Sequence, residues 1–291
     1  MQKIQYYLVI IFSKFLMLLP KSIRRGLFKF LAYLTYLFFT KNKKVIETNL
    51  RYVYGDKISQ KEIKNIQKAC YKKLFLTILS IIENEYLTKK DIESMVKFEN
   101  KHFIDELKKE NKQFIYVTAH MGNLDVLGVI IGHFFGKTTH VQQKIKNPYL
   151  SEYMLKQREK YGIKVVEKTG ALKKLFLALK KGEIVSLVID QNTNPLYAAK
   201  VNFLGKEEYQ LTTSTILSQR FNIPILPVFI VGEEDNYKVI FKEPIYPDAK
   251  SEEELNQIQA DILSQMIFKY PKEWFWCHKR FKNSNPDLYK K

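Results

Sequence analysis

The sequence predicts an α/β fold: a mixed, mostly parallel sheet flanked by helices, with N-terminal membrane-associated helices. Three observations predict it. Short, near-continuously apolar runs recur from residue 114 onward and are rich in Val, Ile and Phe. Stretches of helical length separate them. Ahead of both lies the part of the chain that is most apolar and most basic. Strands apolar along their whole length belong to a sheet covered on both faces, and helices between successive strands supply the cover.

The elements follow in order. Residues 4–19 are apolar except for Gln5, Ser13 and Lys14, and Pro20 ends the run. At ~16 residues it is shorter than the ~20 of a perpendicular spanning helix. It has no small-residue cleavage site, which argues against a cleaved signal peptide. Lys21, Arg24 and Arg25 come next, and the positive-inside bias keeps them in the cytoplasm. A second apolar run, residues 27–39, is broken only by Lys29 and Thr35 and is also too short to span. Either the first run inserts while the second lies in the interface, or both rest on the inner leaflet. The plain alternative is a pair of core helices in a soluble protein. The expected division is a membrane-anchoring segment, 1–45, and an α/β domain, 46–291.

Residues 57–87 read as a helix, with Ile63, Ile66, Leu74, Ile78, Ile81 and Ile82 set among charges, and one or two charged helices continue to Lys109. Strands are then expected at 114–118, 137–141, 163–166, 184–189, 225–231 and 237–242. Helices are expected at 124–135, 148–161, 171–181, 212–221 and 251–268. No internal repeat, low-complexity tract or flexible linker interrupts the alternation.

The net charge is +18 over 291 residues. Up to Gly55 there are ten basic residues against one acid, Glu47, so half of that excess sits in the most apolar fifth of the chain. Basic, apolar and aromatic together point to anionic membrane lipid rather than nucleic acid. No zinc-finger spacing, aromatic RNA-binding motif or heptad-bearing basic region is present. The two cysteines, Cys70 and Cys277, lack metal-ligand neighbours and read as reduced thiols. No metal-binding motif is present, and neither a nucleophile-elbow serine nor a phosphate-binding loop is found.

The run Thr118-Ala119-His120-Met121-Gly122-Asn123-Leu124-Asp125 carries the chemistry. On one helix His120 and Asp125 would lie roughly 140° apart and could not meet. They pair only if His120 ends a strand and Asp125 opens the following helix. A neutral imidazole there suits proton abstraction from an alcohol, and a carboxylate behind it fixes the tautomer. Backbone N–H groups near Gly122 and Asn123 would face a developing oxyanion or a phosphate. The plain alternative is a packed histidine with an ordinary helix-capping acid. Arg158 suits a phosphate, with an exposed helical ion pair as its alternative. Asp190 ends an apolar strand where α/β crevices open, or simply caps a turn. His133 is expected in the core. The aromatic and basic residues 274–282 would line the site entrance, pack on the core, or do both.

These motifs, taken in order, resemble the late acyltransferases of lipid A biosynthesis. His120 to Asp125 is similar to that family's H-x4-D/E signature, with Asp in place of the commoner Glu. Asn147-Pro148 with Arg158 resembles its N-P…R block, Val188-Ile189-Asp190-Gln191 its strand-end D-Q segment, and Phe203-Leu204-Gly205 its F-F-G turn. Residues 271–282, PKEWFWCHKRFK, resemble its C-terminal signature, and Thr48-Asn49-Leu50 an N-L motif. The resemblance implies transfer of an acyl chain from acyl carrier protein to a hydroxyl of a Kdo-bearing lipid A precursor. It implies no cofactor, and a place on the cytoplasmic face of a bacterial inner membrane. His120 and Asp125 would be catalytic, with Gly122, Asn123, Arg158 and Asp190 at the substrate. Gln143 stands where many members have Arg, with Lys144 as a substitute. Acylation of a lysophospholipid or another glycolipid, and a non-catalytic basic membrane adaptor, are the alternative functions.

Overall fold

A computed structural model describes residues 1–143 and 145–290. Nine strands are assigned among them. Seven form one sheet: β1 (Val96–Glu99), β2 (Ile115–Thr118), β3 (Thr138–Gln142), β4 (Ile163–Glu167), β5 (Ile184–Val188), β8 (Ile225–Glu233) and β9 (Asn236–Phe241). The order across the sheet is β1-β9-β8-β2-β5-β3-β4. From β8 to β4 every neighbouring pair is parallel, while β8 and β9 are antiparallel. The sheet is therefore mixed and mostly parallel, as expected. The C-terminal ends of β2, β3, β4, β5 and β8 share one edge.

Helices cover both faces. On one side lie α3 (Thr40–Tyr54), α4 (Gln60–Glu83), α9 (Ala171–Lys180), α10 (Thr213–Phe221) and α11 (Glu252–Lys269), meeting Ile115, Val117, Val185 and Phe229. On the other lie α5 (Lys89–Ser94), α6 (His102–Lys109) and α7 (Leu124–Phe135), meeting Phe114, Tyr116, Val228 and Ile230. Successive residues of one strand thus feed opposite cores, which is why these strands carry no polar alternation. α4 begins at a capping box in which Ser59 and Glu62 exchange hydrogen bonds.

Two features escaped the pattern reading. β1 carries Lys97 and Glu99 and lies at the sheet edge, so it lacks the apolar signature. β6 (Ala198–Phe203) and β7 (Lys206–Leu211) form a separate hairpin. Its two-residue turn, Leu204-Gly205, has positive φ at both positions, the geometry that matches strand twist.

The N-terminal runs form α1 (Gln2–Leu18) and α2 (Lys21–Phe38). Among the described residues no helix is long and apolar enough to cross a membrane. Neither is a buried core helix. Phe12, Phe15, Leu18, Phe30 and Phe38 are exposed, and Leu18 is 82% exposed. Tyr6 of α1 packs on Tyr149 and Tyr153 of α8 (Pro148–Glu159). The basic cluster is less free than composition implied. Arg24 pairs with Glu83 at 2.9 Å, Lys21 and Arg25 with Asp235 at 2.6 and 2.8 Å, and Lys29 with Glu234 at 2.5 Å. Much of this charge ties α2 to α4 and to the β8–β9 turn.

Candidate active site

The site forms where β2 and β5 end. Their register sets Thr118 beside Val188. The pairing continues as Ile189 N–H donates to Thr118 O at 3.1 Å. Two residues further along each strand, His120 therefore stands beside Asp190. The His120 ring Nδ1 lies 2.8 Å from Asp190 Oδ1, and the His120 main-chain N–H donates to Asp190 Oδ2 at 2.9 Å. Trp274 Nε1–H donates to that same Oδ2 at 2.6 Å. Asp190 is buried and His120 is partly open to the cavity.

These contacts set the protonation states. Burial disfavours the charged imidazolium, but the charge and hydrogen bond of Asp190 outweigh it, holding His120 above the ordinary histidine value. Burial also disfavours the Asp190 carboxylate. The His120 charge, the donors from His120 and the Trp274 indole reverse that effect, and its pKa falls below the usual range. An ionised Asp190 holds the proton on Nδ1, which leaves Nε2 as the lone-pair nitrogen. The Gln191 side-chain amide lies 3.1 Å from Nε2 and donates to it.

The expected His120–Asp125 pair is not formed. Gly122 has φ +62, and its turn carries the chain away from β2 before α7 begins. Asp125, in the first turn of α7, accepts instead from Arg158 of α8 at 2.7 Å. Arg158 also donates to Gln142 Oε1. Asp125 and Arg158 line the same cavity as His120, so the site holds two pairs where a single pair was expected.

Gly122 lines the cavity, but its N–H is engaged on the other side of the turn. Gly122 N–H donates to Glu273 O at 2.9 Å. Asn123 caps α7 through Val126 N–H and donates to Ser80 Oγ at 2.7 Å. These bonds hold the turn together. At the opening of α7, Leu124 and Asp125 line the cavity, where main-chain N–H groups lack intrahelical acceptors.

The cavity measures about 390 Å³ and runs between α4, the start of α7, β3, β4 and residues 273–275. Leu74, Val141, Ile163 and Val165 give it apolar walls, while His120, Arg158 and the Lys73–Glu273 ion pair make it polar. It thus offers a base, a cation and an apolar recess. Cys70 also lines it. The neighbouring Cys277 thiol and burial push the Cys70 pKa well up, so Cys70 is no thiolate nucleophile. Among the described residues no cluster suited to a metal ion is found.

A model of the family described as bacterial lipid A biosynthesis acyltransferase matches residues 1–283. The chain belongs to this family. It is 21% identical over 253 residues to the lipid A biosynthesis acyltransferase of Haemophilus influenzae, covering 86% of this chain and 79% of that protein. It is 23% identical over 185 residues to the lipid A biosynthesis palmitoleoyltransferase of Escherichia coli K12, covering 62% and 60%. This protein is accordingly an acyltransferase of the lipid A biosynthesis family.

The remaining motifs of this family member acquire physical reasons. Asn49 Nδ2 donates to the carbonyls of Trp276 and His278, both at 2.8 Å, and so anchors the C-terminal segment. Asn147 caps α8 ahead of Pro148 and donates to Gln2 O at 2.9 Å. Arg280, fully buried, faces Glu208 at 3.4 Å and donates to Tyr209 O at 2.8 Å, locking the β6–β7 hairpin. Trp274 both packs on the core and borders the site, while Trp276 packs on the core. His278 accepts from Asn192 N–H, and burial lowers its pKa, so it is a neutral structural group. His140, which lines the cavity, bonds Tyr116 and Thr138, and burial lowers its pKa to about 3. His133, expected in the core, lies at its margin: its side chain is 16% exposed and pairs with Glu93 at 3.2 Å. Gln143 is exposed, and Lys144 lies outside the described residues.

Proposed function

We propose that this acyltransferase moves a fatty acyl chain from an acyl thioester of acyl carrier protein to the hydroxyl of a 3-hydroxyacyl chain on a Kdo-bearing lipid A precursor. The observation that carries the chemistry is the His120–Asp190 pair opening into a cavity with apolar walls and an arginine. The acceptor hydroxyl displaces the Gln191 amide from His120 Nε2. Nε2 takes the hydroxyl proton as the oxygen attacks the thioester carbonyl. The tetrahedral intermediate collapses, the C–S bond breaks, and the imidazolium returns the proton to the departing thiolate. Asp190 fixes the tautomer and stabilises the transient imidazolium. Arg158, oriented by Asp125 and Gln142, offers a planar cation to a phosphate of the acceptor. Transfer is measured with purified carrier proteins of several chain lengths and a Kdo-bearing precursor, and His120→Ala is expected to abolish it. Near-normal transfer by that variant would remove the mechanism. Preference for a lysophospholipid acceptor would replace the substrate.

The same reading places α1 and α2 in the headgroup region, on the cytoplasmic face of a bacterial inner membrane. Their exposed aromatic and aliphatic side chains supply the contact area, and anionic lipid adds a weaker electrostatic attraction. Phe12→Glu, Phe15→Glu and Phe30→Glu together alter only exposed positions. This triple variant should remain folded and lose co-sedimentation with phosphatidylglycerol-containing vesicles. Unchanged sedimentation would refute the placement.

A further inference from the structure

Asp190 is served from a part of the chain distant in sequence. Its Oδ1 is taken by the His120 ring, and its Oδ2 by the His120 N–H and the Trp274 indole N–H. Trp274 is itself immobilised. It is buried, lies edge-on to Phe203 and Trp276, and forms an antiparallel bridge with Met121. The bridge is closed on both sides of the indole. Gly122 N–H donates to Glu273 O at 2.9 Å, and Phe275 N–H donates to His120 O at 2.8 Å. One short segment therefore holds both the main chain of the base and the carboxylate behind it.

We propose that Trp274 is a positioning residue for the reaction, acting through its indole N–H to hold Asp190 square to His120 and to limit how strongly the carboxylate draws on the imidazole proton. The inference rests on the catalytic reading given above. A carboxylate with two outside donors on one oxygen presents its other oxygen in a fixed direction. Removing the indole donor leaves a buried carboxylate with fewer partners, which leans harder on the imidazolium. The base is then harder to deprotonate, and the ring is less well aimed.

The other charged or titratable groups near the pair are accounted for. From the C-terminal segment come His278, kept neutral by burial, and Arg280, engaged by Glu208. From α4 come the Cys70 thiol and Lys73, the latter paired with Glu273. From α7 and α8 come Asp125 and Arg158, paired with each other. From β3 comes His140, bonded to Tyr116 and Thr138, and Lys168 of the β4–α9 turn acts on His278.

The test uses the full chain with Trp274→Phe and, separately, β-(3-benzothienyl)alanine at position 274, which keeps the shape of the indole and lacks its N–H. Transfer from an acyl carrier protein to a Kdo-bearing lipid A precursor is followed against pH. For either folded variant, kcat should fall roughly tenfold to a hundredfold with little change in KM. The acidic limb of kcat/KM should move up by about one pH unit. Should Trp274→Phe fail to fold, the benzothienyl variant decides alone. Wild-type kcat and an unmoved limb in that variant, with His120→Ala inactive, would overturn the role of Trp274 and leave the base assignment standing. An active His120→Ala would instead remove the base assignment itself.

Discussion

Asp190→Asn should lower kcat by roughly 10²–10⁴ while the protein stays folded, because an amide at that position no longer dictates which imidazole nitrogen carries the proton. Combining it with His120→Ala should cost little beyond the single His120→Ala change, since residues that act as one unit are not additive. Asp125→Asn belongs to a different unit. It removes the carboxylate charge that holds Arg158 at 2.7 Å, and should be non-additive with Arg158→Ala. Steady-state kinetics on the four single variants, these two double variants and the His120→Ala/Asp125→Asn double variant would show this grouping. Strong coupling of Asp125 to His120, with Asp190 uncoupled, would restore the pairing read from the sequence and sink the one read from the fold.

Gly122→Ala should be among the most damaging single-methyl additions to the chain. A β-carbon at 122 would lie 2.1 Å from the Ile230 carbonyl oxygen, on the backbone of β8, and φ there is +62. Neither the strand nor the turn has a flexible side chain that can give way, so the backbone must shift. Close contact with fixed backbone and a left-handed conformation together cost about 4 kcal/mol. In a chain of this length that lowers Tm by roughly 6–7 °C. The same shift breaks the hydrogen bond to Glu273 and re-aims His120, so activity should fall even where the variant remains folded. Thermal unfolding followed by circular dichroism checks the first effect, and transfer assayed well below Tm checks the second. A melting curve equal to that of the parent protein would show that β8 yields at Ile230.

The central sheet was readable because burial on both faces leaves a plain mark, an apolar run of strand length. Residues 124–135 were read as a helix, and α7 has those bounds. β1 and the β6–β7 hairpin were hidden because strands with one exposed face or an edge position carry charges. Within the site, His120 and Asp190 were each legible as polar groups ending apolar strands. Their union was not, since it depends on β2 and β5 being neighbours in register, with β3 and β4 intervening in sequence. Asp125 drew attention by being five residues away, whereas the true partner lies 70 positions on. A clue was available: two runs with polar C-terminal ends are candidates for adjacent strands whose tips meet at a crevice. The hydrogen bond from Trp274 had no comparable signal, because nothing local in the sequence relates an indole to a carboxylate so distant.

The bridge between Met121 and Trp274 also bears on how a newly made copy comes to life. About 150 residues separate the two, so at bacterial elongation rates of ~5–20 residues per second the first waits roughly ten to thirty seconds for the second to emerge. Throughout that interval the loop bearing His120 lacks the segment that bridges Met121 and the indole that holds Asp190. The site therefore cannot take its full form until residue 274 has been made, however early the sheet around His120 begins to assemble.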